Sequence, residues 1–367
     1  MSRTTPSARE TKFARSILTK NLQVKAGENV MIEGYSHSLP FAVALARETR
    51  RLKAFPLVLY EDETAFWDSI GSHEDEILGA APAHEWAALG KTDVYIHMWG
   101  QGDKLKFGSL PEDRQAKILG FNNSWYKTAH KGGLRGTRLE IGRPFPNLAQ
   151  IYGANVTRWM NQLIDASLVN PDWLEAVGKP IVRALERGRR LRIHDDEGTD
   201  LTLGLAHRKA NLFAGRVTKA DLKSDFRMLN VLPAGSLRLA LDESVADGTF
   251  VANRSSYYND GKTTGGEFKF RKGRLVSHSF KSGGELFERD YRTAGKGRDR
   301  PGILSIGLNP KLHDTPQVED TEAGAILVSV GGNQFNDGGK NKARIFGFVI
   351  NKGAKVEIDG RPLLLPS

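Results

Sequence analysis

Cysteine is absent from this chain of 367 residues. Its absence excludes disulfide bonds, cysteine-ligated zinc sites and a cysteine nucleophile. The sequence also has no run of about 18 apolar residues, so it predicts no membrane-spanning helix. The basic N-terminus, MSRTTPSARETKFARS, lacks the apolar segment of a secretory signal. We therefore expect a cytoplasmic protein with no membrane partner.

Positive charge exceeds negative charge, with 53 Lys and Arg against 43 Asp and Glu and a net charge of +10. Such an excess favours an anionic partner. The basic residues are scattered, however, and no helix-turn-helix, RNA-recognition or zinc-finger signature is present. Runs such as Arg187–Arg192 and Arg289–Arg300 are typical of solvated surfaces. The sequence therefore predicts a small anionic substrate and no nucleic acid partner.

The first half of the chain alternates apolar strand patterns with helical ones. A helix is predicted at Leu39–Leu52 from the spacing of its apolar residues. Strands are predicted at Asn29–Glu33, Phe55–Tyr60, Asp93–Met98 and Arg138–Arg143. A strand–helix–strand order implies parallel strands joined by crossover helices. Residues 1–188 are therefore predicted to form an α/β domain with a doubly wound parallel sheet.

The pattern changes near Arg189, where short strands and frequent turns replace helical periodicity. Two apolar runs near the C-terminus, Ala325–Val330 and Ile345–Ile350, are typical of buried strands. We predict that residues 189–367 form an α+β, mostly antiparallel and β-rich domain. Because ligand sites often lie between domains, we expect the site in the cleft between the two.

The loop after the first predicted strand, GYSHS, carries His37. Ligands of open parallel sheets bind outside the carboxyl ends of the strands, which is where this loop lies. His37 is therefore a candidate acid, base or substrate contact, and the alternative is an ordinary loop histidine. The glycine pattern does not match GxGxxG, so no dinucleotide site is predicted, and we expect no cofactor.

Several motifs of the second half occur in a recognisable order. They are LPAGS at Leu232–Ser236, GILSIGLNPKL at Gly302–Leu312, and the glycine-rich loop Gly331–Lys342 with Asn333 and Gln334. In this order the chain resembles the M29 (aminopeptidase T-like) metallopeptidases and the related 2,5-dihydroxypyridine dioxygenases. The resemblance implies a shared two-domain fold and a homodimer. The loop brings backbone and amide groups close to a ligand, so Asn333 and Gln334 are candidate substrate contacts.

The resemblance also implies six metal-site positions, and this chain departs from the family at every one. These positions hold Ser236, Ile303, Leu327, Gln334, Phe346 and Phe348. Divalent metals require carboxylate, imidazole or thiolate donors, which these side chains do not supply. We therefore expect the fold without the family's metal chemistry. Our hypothesis is that the six side chains still converge and line a ligand cavity.

Three residue types could supply the remaining chemistry. His313 follows the NPKL motif and is a candidate for acid–base work, or else an exposed loop histidine. Ser236 could be a nucleophile if a base lies within reach, but no GxSxG elbow surrounds it, which favours the alternative of a polar residue that fills a vacated ligand site. Phe346 and Phe348 alternate along a strand and would form an apolar wall for a substrate, or simply pack in the core.

Three classes of function stay open at this level. The first is a metal-independent enzyme that performs acid–base or hydrolytic chemistry on a small anionic or aromatic substrate. The second is a metal-dependent aminopeptidase, or a non-haem iron ring-cleaving dioxygenase, with other ligands. The third is a binding protein without catalysis. The replaced ligands favour the first and third classes over the second.

Overall fold

The computed structural model describes residues 5–100, 104–225, 227–258 and 261–367. The chain forms two compact units, and each contains segments distant in sequence. The first unit comprises Met1–Leu168 and Gly215–Pro233, and the second comprises Val169–Ala214 and Ala234–Ser367. The sequence predicts one domain boundary, after Gly188, whereas the chain passes between these two units at three points.

The elements follow the sequence in this order. The helices are α1 (Ala8–Ser16), α2 (Leu39–Arg51), α3 (Glu63–Ser72), α4 (Asp75–Leu78), α5 (Ala83–Leu89), α6 (Lys104–Gly108), α7 (Glu112–Ile118), α8 (Asn122–Gly132), α9 (Pro146–Tyr152), α10 (Val156–Ser167), α11 (Pro171–Arg187) and α12 (Gly284–Thr293). The strands are β1 (Asn29–Tyr35), β2 (Phe55–Glu61), β3 (Val94–Met98), β4 (Arg135–Leu139), β5 (Arg190–His194), β6 (Asp200–Gly204), β7 (Asn211–Phe213), β8 (Leu229–Leu232), β9 (Ser236–Ala240), β10 (Ala246–Val251), β11 (Ser256–Tyr258), β12 (Gly261–Thr263), β13 (Glu267–Arg271), β14 (Arg274–Ser279), β15 (Pro301–Gly307), β16 (Ala325–Gly331), β17 (Phe346–Lys352), β18 (Lys355–Ile358) and β19 (Arg361–Leu363).

The first unit is built on a parallel sheet with the strand order β2-β1-β3-β4-β8, which confirms the predicted α/β class. Its last strand, β8, comes from the later segment of this unit. The predicted strand Arg138–Arg143 is wrong in its bounds, since β4 spans Arg135–Leu139 and a 3-10 turn follows at Glu140–Gly142. The turn is held because Glu140 accepts hydrogen bonds from Trp99 and Arg143.

The second unit contains two large antiparallel sheets, as the sequence predicts for this part of the chain. One has seven strands in the order β14-β13-β10-β6-β5-β18-β19, and the other has five in the order β17-β16-β15-β9-β7. Alternate residues of the five-stranded sheet form a fully buried apolar face that includes Leu239, Leu304, Val328 and Val349. The opposite face, which we call the site face, carries the candidate residues.

None of the helices in the described part of the chain is both long and apolar enough to cross a bilayer.

Candidate functional site

Three of the six family site positions pack together on the site face. Strand register places Leu327 opposite Ile350, and Ser329 opposite Phe348. Ile303 and Leu327 belong to one buried apolar cluster, and the half-buried ring of Phe348 packs against it. The site face is therefore apolar at this point, whereas the resemblance implied metal-binding side chains here.

A bulge in β15 positions Ile303 in this cluster. The register between β15 and β16 shifts between Pro301 and Leu304. The backbone N–H of Ile303 donates to Ser329 Oγ at 2.8 Å, so its hydrogen bond goes to a side chain of the neighbouring strand. A bulge of this kind redirects side chains without leaving a buried N–H unsatisfied.

A row of aromatic rings extends from the cluster to the surface. Phe348 stacks on Tyr258, with 5.6 Å between ring centroids, and contacts Phe346 at 5.3 Å. Phe346 in turn meets Phe335 edge-on at 6.0 Å. The two outer rings are more than one-third exposed, at 36% for Phe346 and 38% for Phe335. These four residues form what we call the aromatic row, a surface suited to a flat or aliphatic ligand.

The other two positions lie away from this cluster. Ser236 shares the site face, but its row contains Gly307, Ala325 and Lys352. Phe346 lies six residues from Lys352 along β17 and three strands from β9, so its backbone is roughly 20 Å or more from that of Ser236. Gln334 is exposed on the loop after β16. The hypothesis that all six side chains converge is therefore wrong for Ser236.

Asn333 stabilises the glycine-rich loop through hydrogen bonds of its side chain. Its side chain is fully buried, and its amide N–H groups donate to Glu243 Oε1 at 2.9 Å and to the carbonyl of Gly302 at 3.2 Å. Its amide oxygen accepts from the backbone N–H of Asn341 at 2.9 Å. These bonds fix the glycine-rich loop to the body of the unit, and they occupy the groups that would contact a ligand.

A 3-10 turn at Glu319–Thr321 packs against β15 and β16 beside the apolar cluster. Glu319 is buried there and accepts a hydrogen bond from the backbone N–H of Tyr257 at 3.0 Å. Burial raises the pKa of Glu319 to about 8, and the nearby charges of Asp320 and Asp314 add to the effect. At neutral pH the raised pKa favours the protonated form of this carboxyl group. Its backbone partner Tyr257 directly precedes the stacked Tyr258.

The two acidic side chains that follow Glu319, those of Asp320 and Glu322, each form an ion pair with a basic side chain. Asp320 Oδ2 accepts from Arg238 at 2.9 Å and from Ser305 Oγ at 2.9 Å. Glu322, also buried, pairs with Lys352 and accepts from the backbone N–H of Asp314 at 2.8 Å. Their charges are thus compensated inside the protein, which leaves Glu319 as the member of this turn held in its neutral form.

The two candidate histidines lie in different units. His313 is exposed on the turn that precedes Thr315, and its backbone N–H donates to the Thr315 hydroxyl at 3.4 Å. His37 belongs to the first unit, where Nε2 lies 3.0 Å from the carbonyl oxygen of Gly142 and the ring packs on Phe145 at 4.2 Å. Burial lowers the pKa of His37, so its neutral form is favoured.

The residues at the six positions do not fit a metal ion. They offer hydroxyl, amide, alkyl and phenyl groups, none of which is an anionic or imidazole donor. Across the ranges that the structure describes, no group of three or more His, Asp or Glu side chains suits a metal either.

The fold matches two solved structures along nearly its whole length. Wild-type AmpT from Thermus thermophilus aligns with a TM-score of 0.69 and 19% identity, covering 97% of this chain and 98% of that chain. The 2,5-dihydroxypyridine dioxygenase from Pseudomonas putida KT2440 aligns with a TM-score of 0.59 and 15% identity, covering 98% and 97%. At these identities the likeness shows the fold alone. A comparison with curated proteins finds no match.

The architecture is thus one that AmpT and the dioxygenase share. The chain belongs to the thermophilic metalloprotease (M29) family, whose sequence model matches residues 7–293. This confirms the family resemblance and supports a hydrolase or metalloenzyme scaffold. Five of the six family site positions, from Ile303 to Phe348, lie beyond the matched residues. Of the six positions, only Ser236 lies within the matched residues.

Sequence reasoning missed Glu319. The motif EDTE at 319–322 reads as an exposed acidic turn, since three carboxylates in four residues usually face water. The signal that could have revealed it is the alternation of arginine with apolar residues in β9, because Arg238 on a buried strand requires an acidic partner.

Proposed function

We propose that this protein is a hydrolase on the M29 scaffold that works without the family's metal ions. Glu319 would be the proton donor, and the aromatic row beside it would bind the substrate. The observation that carries the proposal is the buried carboxyl group of Glu319, whose pKa is raised to about 8 and which accepts a hydrogen bond from the backbone of Tyr257, the residue before Tyr258 of the aromatic row. Such a group is suited to general acid catalysis, because its pKa lies close to neutral pH.

The substrate class follows from the surface and the charge. The aromatic row favours an aromatic or aliphatic group, and the net charge of +10 favours an anionic molecule. In the proposed reaction, water attacks a carbonyl carbon and the bond to the leaving group breaks. Glu319 gives its proton to the leaving atom, and the proton lost by water goes to His313 or to solvent. This reaction is balanced without an oxidant or a metal.

The test is turnover of small p-nitrophenyl esters and amino acid p-nitroanilides by protein dialysed against EDTA. We expect the wild type to be active and Glu319→Gln to lose at least about 100-fold in kcat, the usual scale for general acid catalysis. Glutamine resembles a protonated glutamate, so the fold should persist. Glu48→Gln is the matched control, because Glu48 is also buried but belongs to the first unit.

Other outcomes favour the alternative functions. Activity that EDTA abolishes and that added zinc, cobalt, manganese or iron(II) restores would favour a metal-dependent aminopeptidase or a ring-cleaving dioxygenase. Binding of aromatic acids without turnover of any substrate would favour a non-catalytic binding protein. Equal activity of Glu319→Gln and Glu48→Gln would remove Glu319 from the mechanism.

A further inference from the structure

A second group of polar side chains lies at the carboxyl ends of the parallel strands of the first unit. Register pairs Glu33 of β1 with His97 of β3, and His97 with Arg138 of β4. Residues paired across neighbouring strands point to the same side of a sheet, so an acid, an imidazole and a guanidinium stand side by side. Open parallel sheets bind ligands at this edge.

The acid and the imidazole lie within ion-pair distance of each other. His97 Nδ1 lies 3.4 Å from Glu33 Oε1, and the hydroxyl of Tyr95 donates to the other oxygen of Glu33. Burial alone raises the pKa of Glu33, but the charge and the hydrogen bonds of His97 and Tyr95 outweigh it and keep the carboxylate ionised. With Nδ1 directed at Glu33, Nε2 of His97 is the nitrogen left to contact a ligand.

Arg138 is the cation of the row. It is half-buried, and its Nη2 donates to the hydroxyl of Tyr126 at 2.7 Å. Its neighbours differ, because Arg135 pairs with Glu28 at 2.8 Å and Arg143 pairs with Glu140. Within the described ranges no carboxylate forms an ion pair with Arg138. A half-buried guanidinium with unused N–H donors is a site for a planar anion.

The surroundings favour a small organic anion over a phosphate. Below the row lies an apolar cluster that includes Met31, Trp125 and Leu229. Glu61 and Glu85 lie near Glu33, and burial together with that charge raises the pKa of both. These carboxylates would repel a dianion more strongly than a monoanion. A monoanion with an apolar body would pair with Arg138 and contact the apolar cluster. The row is reachable, since the side chains of Glu33 and His97 are 26% and 15% exposed.

We propose that Glu33, His97 and Arg138 form a binding site for a small apolar monocarboxylate. Arg138 binds the carboxylate, and His97 hydrogen-bonds it or an adjacent polar group through Nε2. Glu33 is a positioning residue that orients the imidazole. The site lies in the first unit and uses none of the residues proposed for hydrolysis in the second, so each proposal can fail without the other.

The test is isothermal titration calorimetry of the whole protein with benzoate as the probe. We expect saturable binding that Arg138→Gln weakens by about tenfold or more, because a charge-assisted hydrogen bond is lost. Arg50→Gln removes the same charge from the exposed surface of α2 and should leave the affinity unchanged. Inorganic phosphate should bind more weakly than benzoate.

A second measurement keeps the test decisive if Arg138→Gln does not fold. Benzoate should shift the imidazole nitrogen resonances of His97 in the wild type, identified by their loss in His97→Gln. Absence of saturable benzoate binding, an unchanged affinity in folded Arg138→Gln, phosphate binding as tight as benzoate, or unshifted His97 resonances would each overturn the proposal.

Discussion

At the scale of single residues, the protein places two glutamates in opposite electrostatic environments within one unit. Glu319 is buried among other carboxylates, and its pKa is raised to about 8. Glu243 is also partly buried, which by itself raises its pKa, but bonds from Arg208 and Asn333 lower the pKa to about 2. Burial therefore dominates for Glu319, whereas the hydrogen-bond partners of Glu243 outweigh the effect of its burial.

The raised pKa of Glu319 predicts a stability that depends on pH. The unfolded chain loses this proton near pH 4.5 and the folded protein near pH 8, so folding binds a proton between these values. The free energy of unfolding of the wild type should fall as pH rises from 4.5 to 8, by up to about 1.4 kcal/mol per pH unit from this residue. Urea denaturation of the wild type and Glu319→Gln at several pH values measures this free energy. The difference between the two proteins should change over this range, and parallel pH profiles would contradict the burial of a proton at this site.

The lowered pKa of Glu243 predicts the opposite trend at acidic pH. Arg208 donates to both oxygens of Glu243, at 2.9 and 2.6 Å, and the backbone N–H of Lys340 donates at 3.0 Å. The resulting stability is present above pH 4.5 and lost as pH falls toward 2. Glu243→Gln should therefore cost roughly 3 kcal/mol at pH 7 and progressively less below pH 4, as seen by chemical denaturation. A cost that does not vary with pH would assign the effect to packing instead.

At the scale of elements, the acidic turn lies close against β15. An added Cβ at Gly307 would lie 1.9 Å from the carbonyl oxygen of Glu322, so only glycine permits this approach. The same turn presents Glu319 to Tyr257. The position of the acid therefore depends on a backbone contact that no side chain at 307 would allow.

Gly307→Ala is expected to displace the turn and to destabilise the protein by about 1–3 kcal/mol, the usual cost of overpacking. Gly71→Ala is the control, because this glycine lies in α3 with no atom within 4 Å of the added Cβ. That change should be neutral or slightly stabilising, since alanine favours helices. The measurement is the melting temperature of both variants. Equal melting temperatures would show that the turn moves without cost.

The apolar cluster on the site face predicts that two family ligands cannot simply be restored. Phe346→His/Phe348→Asp would place a carboxylate against Ile303 and Leu327 without the other donors. We expect a loss of about 2–4 kcal/mol in the free energy of unfolding and no stoichiometric metal. Phe346→Leu/Phe348→Leu is the matched control and should be milder. A stable double variant that binds one equivalent of zinc would contradict the reconstruction of the site.

At the scale of the whole molecule, the chain belongs to the M29 family, and the six positions that the resemblance assigns to metal ligands hold no carboxylate, imidazole or thiolate. A buried cluster of carboxylates and imidazoles without metal would be costly, because of desolvation and mutual repulsion. Alkyl and phenyl groups at the same positions remove that cost and pack into a buried cluster. If no ion is bound, the hydrolytic chemistry that we propose has to come from other residues.

Protein purified without chelators should accordingly contain well under one equivalent of zinc, iron, cobalt or manganese. The reason is the donor set at the six positions, which offers no carboxylate, imidazole or thiolate. Elemental analysis by mass spectrometry measures the content, and dialysis against EDTA should leave the melting temperature unchanged. Stoichiometric metal together with a large loss of stability in EDTA would revive the metalloenzyme alternative.

Much of the fold could be predicted from local sequence patterns. The predicted helix Leu39–Leu52 corresponds to α2, and the predicted strands Asp93–Met98 and Ala325–Val330 correspond to β3 and β16 within one residue at each end. The class of each half could also be deduced. These features depend on side-chain periodicity and chemical type, which are properties of neighbouring residues.

The tertiary structure decided what depends on distant segments. It brought Leu229–Leu232 back to the first sheet, aligned Glu33 with His97 and Arg138, and separated Ser236 from Phe346 along one face. It also buried Glu319, whose sequence context is typical of an exposed turn. Strand register and burial are set by pairing across the chain, and a one-residue change in register turns a side chain to the other face. The sequence by itself therefore determined the family and the residue types at the six positions, whereas the three-dimensional packing determined which side chains meet and which carboxyl group has a raised pKa.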